Sequence, residues 1–267
     1  MALAFPKRLI RSLFKRAGFE IRRLDNEQAG GDSPWLDQLG GKQDAFFDIK
    51  RLSQAWSYQI QCFFDVGAND GATAQAALSY FDDVHLFAFE PHPQTFQRLR
   101  QNVSSPNFKA FNIALGDRQG DAELFSYGSD KTNSLVPDAP FAVRFPQKGN
   151  PIKINISTVD DFSDTHHIGR IDILKIDTEG FDLSVMKGAA KKLANREIRF
   201  VYTEFNDVFE EPDRSGGALF PICKFLYPFG FRFVAAYSDC LFPEGEFFAI
   251  HNALFVIPPS PLTKASG

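Results

Sequence analysis

The sequence predicts an α/β domain on a mostly parallel β-sheet, and three observations carry that prediction. An apolar run, Cys62-Phe63-Phe64-Asp65, passes through Val66-Gly67-Ala68-Asn69-Asp70-Gly71 into a small-residue helix beginning near Ala72, giving strand, glycine turn and helix in succession. Further apolar runs of strand length alternate with helical patterns along the chain, as βαβ units do. Charged residues gather where such strands end, at Glu90 and at Lys175, Asp177 and Glu179, the edge at which open parallel sheets bind ligands.

The elements follow in order. Seven of the first 25 residues are basic (Lys7, Arg8, Arg11, Lys15, Arg16, Arg22, Arg23), while Leu9, Ile10, Leu13, Phe14 and Ala17 recur at helical spacing behind Pro6. This is a basic amphipathic helix without the apolar core and cleavage pattern of a secretory signal. Three readings fit it: contact of residues 5–24 with an anionic membrane surface, packing on its own domain or on a second copy in a homo-oligomer, or, in a eukaryotic source, a transit peptide. Residues 26–41 are rich in Gly, Asp and Gln and read as a linker, and 43–60 as a helix leading into the first strand. Then come a strand over 84–89, a helix over 93–103 with Phe96 and Leu99 inward, and a third strand over 108–114. Residues 122–127 and 152–156 flank a polar, proline-rich excursion, and a short helix starts at Val159. A fourth strand over 171–176, a helix over 183–193, a fifth strand over 199–205 and a closing hairpin of 231–237 with 252–257 complete the chain. The division is thus 1–41 (helix and linker), 42–260 (the domain) and 261–267 (a flexible tail).

Composition narrows the classes. A chain of 267 residues suits one elaborated α/β unit. Its net charge of -4, with no basic run interleaved with aromatics in the body of the chain, disfavours a nucleic-acid partner. Cys62, Cys223 and Cys240 are odd in number and lack CxxC spacing, as in a reduced, cytoplasmic protein. No run approaches the ~18 apolar residues of a membrane span. The 30 phenylalanines read mainly as core.

The glycine turn has the marks of a cofactor site. Gly67 and Gly71 permit sharp turns and close backbone approach. A dinucleotide fingerprint counted from Gly67 would need glycines where Asn69 and Ala72 stand, so pyrophosphate is not the expected ligand. Asp65, an acid at the strand end, instead suits a cationic group such as the ammonium of S-adenosylmethionine. Glu90 ends the second strand, where an acid accepts hydrogen bonds from ribose hydroxyls. Ribose is common to NAD and S-adenosylmethionine, so Glu90 alone does not separate them.

Ile171-Asp-Ile-Leu-Lys-Ile-Asp-Thr-Glu-Gly-Phe-Asp182 sets Lys175, Asp177 and Glu179 at or just beyond the end of a core strand, with Lys175 and Asp177 on one side by alternation. Such charges are costly to bury without partners, so a functional site and a purely structural network are the two readings.

Together, FFDVGANDG, FAFEPHPQTFQRLRQN, NIALGD, TNSL, STVDDF and LKIDTEGFDLSVMKGA resemble the FkbM family of S-adenosylmethionine-dependent methyltransferases, from about residue 62 to about 206. The resemblance implies a Rossmann-like class I methyltransferase fold, a seven-stranded sheet with an antiparallel last strand. It implies that Asp65, Gly67, Ala68, Asn69 and Gly71 surround the cofactor's methionine part and that Glu90 with Pro91 holds the ribose. Asn112, Ile113 and Ala114 would lie near the adenine, Ser134 would close over cofactor or acceptor, and Asp177 would sit beside the transferred methyl group. Acceptors of the family are usually hydroxyls, often on sugars, glycolipids or natural products.

Methyl transfer to a hydroxyl needs in-line alignment and removal of a proton. Asp177 is the first candidate base, then Glu179 and Glu204, with His251 a second kind of candidate because imidazole titrates near neutrality. Lys175 would neutralise the acids and tune Asp177. Asp177, Glu179, Glu204, Asn206 and His251 are also ligand types for a divalent cation, though their spacing imposes no coordination geometry. The competing readings are an NAD-linked oxidoreductase, opposed by Asn69 and Ala72, and a membrane-associated cofactor-binding protein without turnover.

Overall fold

The computed structural model describes residues 45–127, 132–137, 147–205, 217–242 and 248–259. The amphipathic helix, the linker and the tail expected from the sequence lie outside these residues, as do most of the 128–150 excursion and Asn206. Among the described residues no helix is long and apolar enough to cross a membrane.

The described chain runs α1 (Ala45–Ala55), β1 (Cys62–Val66), α2 (Ala72–Tyr80), β2 (His85–Phe89), α3 (Pro93–Asn102), β3 (Phe108–Phe111), β4 (Ala114–Leu115), β5 (Gly120–Ser126), β6 (Asn133–Ser134) and β7 (Ile152–Ser157). It continues through α4 (Val159–Thr165), β8 (Ile171–Ile176), α5 (Asp182–Lys187), α6 (Ala190–Ala194), β9 (Ile198–Phe205), α7 (Leu219–Leu226), β10 (Arg232–Phe242) and β11 (Phe248–Val256). The main sheet has seven strands in the order β10-β11-β9-β8-β1-β2-β3. Strands β3, β2, β1, β8 and β9 are parallel, while β11 runs antiparallel to β9 and to β10. The mostly parallel sheet with its antiparallel last strand is therefore as expected.

Apolar residues occupy both faces of the central strands because helices cover both. Phe64, Leu174, Val201 and Phe255 join the core on one face with α4, α5 and α7. Their neighbours Phe63, Ile173, Phe200 and Leu254 join the other, with α1 and α2. Many phenylalanines pack on one another here, Phe162 meeting Phe89 and Phe111 edge-on at centroid distances of 4.7 and 4.8 Å.

Two expected elements are divided. The strand expected over 108–114 ends at Phe111, where the Asn112 amide donates to the Glu90 and Pro91 carbonyls at 2.8 and 2.9 Å. Ala114–Leu115 then pairs with β7 in a second, four-stranded sheet of order β4-β7-β5-β6. The helix expected over 183–193 breaks between α5 and α6 at Gly188, which packs so closely that an added Cβ would lie 1.8 Å from the Gly116 carbonyl oxygen. The small sheet and the main body meet backbone to backbone at this point.

Candidate functional site

A cavity of about 420 Å³ opens at the carboxyl ends of the central strands. It is lined from β1 by Val66, Gly67, Ala68 and Asn69, from β2 by Phe89, Glu90 and Pro91, and from β8 by Lys175, Asp177, Thr178 and Glu179. Ala114, Leu115, Leu124 and Asn133 of the small sheet, with Leu135 just beyond it, add to the lining, as do Glu204 and Ile250.

The glycine turn is built by close approach. Gly67 has φ +76°, and a Cβ there would stand 1.8 Å from the Asp177 carbonyl oxygen, so the turns after β1 and β8 touch only because residue 67 has no side chain. The Asp177 amide donates to the Val66 carbonyl at 3.0 Å and completes the junction. Gly71, with φ +93°, faces Val103 and Leu99. It seats the start of α2 against α3 and does not line the cavity.

Glu90 is buried, and each of its carboxylate oxygens receives a backbone amide: Asn69 at 3.0 Å and His92 at 2.8 Å. Burial pushes its carboxyl up to about 7 while those two amides pull the other way. Asn69 itself is left-handed, φ 48°, which brings its amide round to Glu90.

Asp65 departs from the expectation placed on it. Parallel pairing sets Asp65 opposite Lys175, so both side chains point the same way, and the Lys175 ammonium lies 3.1 Å from the Asp65 carboxylate. Asp65 is fully buried behind the cavity wall, and its cationic partner is supplied by the protein. The same ammonium lies 3.4 Å from Asp177 Oδ2 and donates to the Gly67 carbonyl at 3.2 Å. Burial alone would lower the Lys175 amine, but Asp65 and Asp177 outweigh it and hold the charged form; burial raises the Asp65 carboxyl and Lys175 opposes that.

Asp177, Glu179 and Glu204 each place a carboxylate oxygen within 4.8 Å of the others, at the cavity wall. Burial first, then the charges of Asp177, Glu179 and Asp182, hold the Glu204 carboxyl well above its ordinary range. Asp182 behind them is pushed up to about 7 by burial and by Asp177, with the Thr178 and Thr203 hydroxyls opposing. Three carboxylates so gathered are a ligand set that a divalent cation could use.

His251 does not join them. It stands beside Phe205 in the β11–β9 register and stacks on that ring with centroids 5.3 Å apart, whereas its neighbour Ile250 lines the cavity. Strand alternation turns it away. Asn112 and Ile113 lie off the cavity too: Asn112 ties the end of β3 to Glu90 and Pro91, and Ile113 packs on the core. Ser134 is buried, its hydroxyl spent on the Glu179 carbonyl at 2.7 Å. Thr73, Phe89, Thr178 and Leu135 also line the cavity, and of these only Thr178, between two expected acids, carries a signal in the sequence.

The cavity suits a nucleoside cofactor: an acid stands at the end of β2 where ribose hydroxyls are bound, and Phe89, Leu115, Leu124 and Pro91 offer apolar surface for a base. The strand order, with antiparallel β11 inserted beside β9, together with this site defines a class I methyltransferase fold. The chain belongs to the family of the methyltransferase FkbM domain, whose model matches residues 65–233. S-adenosylmethionine, the cofactor expected from the sequence, goes with that membership, and the NAD-linked reading does not.

Among curated relatives, the 2-O-methyltransferase NoeI of Sinorhizobium fredii is 27% identical over 154 residues, 54% of this chain and 62% of that protein. The hexuronic acid methyltransferase AglP of Haloferax volcanii is 26% identical over 171 residues, 64% of this chain and 65% of that one. The chain thus spans less than two thirds of the length of each. The METTL16 methyltransferase domain superimposes with a TM-score of 0.46 at 11% identity over 93% of this chain and 78% of that one, a likeness too loose to bear on function.

Proposed function

We propose that this protein transfers the methyl group of S-adenosylmethionine to a hydroxyl oxygen of a sugar or sugar-bearing acceptor. The observation that carries the reading is the meeting of Glu90 and Asp177 at one cavity, a ribose-type acid together with a carboxylate held by Lys175. Family membership supports methyl transfer, and the names of NoeI and AglP support an oxygen of a carbohydrate.

When bound, S-adenosylmethionine would supply an electrophilic methyl group on a sulfonium, whose C–S bond breaks as the methyl is transferred and S-adenosylhomocysteine leaves as the neutral thioether. Glu90 accepts hydrogen bonds from the ribose hydroxyls, and Ala114, Leu115, Leu124 and Leu135 offer their side chains to the base. Lys175 fixes Asp177 through Oδ2, and Asp177 accepts the proton of the attacking hydroxyl on its carboxylate, so the oxygen gains nucleophilicity as the C–O bond forms. Glu179 and Glu204 orient further hydroxyls of the acceptor, carboxyls being good partners for a polyol face. A divalent cation held by Asp177, Glu179 and Glu204 would serve the same end by polarising the hydroxyl. Residues 42–260 form the catalytic unit in this reading, and residues 5–24 either touch an anionic membrane surface or pack on protein.

The test is direct. The full chain is titrated with S-adenosylhomocysteine by calorimetry, then incubated with S-adenosylmethionine and a panel of neutral, amino and uronic sugars and glycolipids. Mass shifts of one methyl group on an oxygen support the proposal. Cofactor binding without methylation across the panel would favour the non-catalytic alternative.

A further inference from the structure

The turn that follows β8 carries an unfavourable backbone. Glu179 has φ 55° and Gly180 φ 94°, consecutive left-handed residues, and only the second is a glycine. A side chain in that region is sterically disfavoured and persists where the surroundings impose it. The conformation also does something: it leaves Glu179 on the cavity wall with a carboxylate oxygen within 4.8 Å of its counterparts on Asp177 and Glu204.

What imposes it comes from another part of the chain. Ser134, on β6 of the small sheet, is 1% exposed. Its hydroxyl donates to the Glu179 carbonyl at 2.7 Å, across 45 residues of sequence, and accepts from the Val136 amide at 3.0 Å. The amide fixes the direction of the hydroxyl, leaving its hydrogen for Glu179. On the other side of the turn the Gly180 amide donates to the buried Asp182 carboxylate at 3.3 Å. The peptide between Glu179 and Gly180 is therefore gripped at both its oxygen and its nitrogen.

We infer that Ser134 is a positioning residue: by holding the Glu179 carbonyl it maintains the left-handed turn that presents the Glu179 carboxylate to the acceptor beside Asp177. The hydroxyl is committed to the turn, so Ser134 acts through Glu179 without touching cofactor or acceptor. Where it concerns turnover, this inference rests on the methyltransferase reading above.

The test combines a structural and a kinetic readout on the full chain. Crystal structures of the wild type and Ser134→Ala read the turn itself: the variant is expected to lose φ near +55° at residue 179 and to move its carboxylate away from Asp177. A Glu179 unmoved in Ser134→Ala overturns the inference, whether or not the protein is a methyltransferase. With an acceptor in hand, Ser134→Ala is expected to lower kcat about 10- to 100-fold with the S-adenosylhomocysteine Kd unchanged, and Ser134→Thr to restore it. Ser134→Ala in a Glu179→Gln background should cost little more, and an undiminished loss there would also overturn the inference. Should Ser134→Ala not fold, Ser134→Cys, which keeps the bulk and only a weak donor, is put through the same measurements. A wild type that methylates nothing counts against the proposed function, while the crystallographic comparison still decides the role of Ser134.

Discussion

The Lys175 ammonium lies 3.1 Å from the Asp65 carboxylate, and the two side chains are 4% and 0% exposed. Their pairing follows from their being register partners on adjacent parallel strands. Removing the cation alone strands a fully buried carboxylate, whereas removing both charges leaves only Asp177, which is 38% exposed, without its cation. Lys175→Met should therefore destabilise the fold by about 3–5 kcal/mol in urea melts, and Asp65→Asn with Lys175→Met should recover much of it. Equal losses in the single and double variants would show that Asp65 does not depend on Lys175.

Asp177 is expected to matter for turnover more than for binding. Asp177→Asn should reduce kcat about 10²- to 10⁴-fold, the range for a lost general base. Calorimetry should find S-adenosylhomocysteine affinity little altered. A variant that kept most of its kcat would remove Asp177 as the base.

Glu90 links cofactor affinity to pH. Its carboxyl is raised to about 7 from an ordinary 4.5, so between those values the folded protein holds a proton the unfolded chain has lost. Stability contributed by this group is full below 4.5 and is lost as pH climbs through 7. Ribose hydroxyls prefer the carboxylate, so affinity moves the other way, falling up to tenfold per unit as pH drops below 7. Titrations of S-adenosylhomocysteine from pH 5.5 to 8.5 (~3 units) check this; a flat profile, or one unchanged in Glu90→Gln, would be inconsistent with ribose binding at Glu90.

At Gly67 the obstacle is spatial. Gly67→Ala places a carbon 1.8 Å from the Asp177 carbonyl oxygen at φ +76°, so the turns after β1 and β8 must part. Thermal melts should show a loss of about 2 kcal/mol or more, and turnover should fall with it because Asp177 is on the moving turn. Wild-type stability in this variant would mean that the two turns do not need their close contact.

The central strands are legible as apolar runs bounded by turn residues and the end of the chain as a hairpin, while the antiparallel place of the last strand in a seven-stranded sheet is what the family resemblance implies. Glu90 and Asp177 were legible as acids at strand ends. The breaks at Asn112 and Gly188 were not: one depends on carbonyls of Glu90 and Pro91, the other on the Gly116 backbone, and neither neighbour is close in sequence. At Asp65 the sequence suggests a ligand's cation, because the register that brings Lys175 to it is a relation between strands more than 100 residues apart. His251 was placed by its chemistry, which says nothing about the face of β11 it occupies.

The contact of Gly188 with Gly116 bears on how such a protein can be changed. Two backbones in direct touch leave no side chain to trim, and a Cβ at Gly116 would itself meet Ile156 and Phe181 at 2.6 and 2.7 Å. The small sheet is in effect riveted to the body, so it can neither swing aside nor accept gradual enlargement at that junction. New acceptor preferences, whether selected in nature or engineered, would have to be won in side chains facing the cavity or in the connections around it, with the rivet left intact.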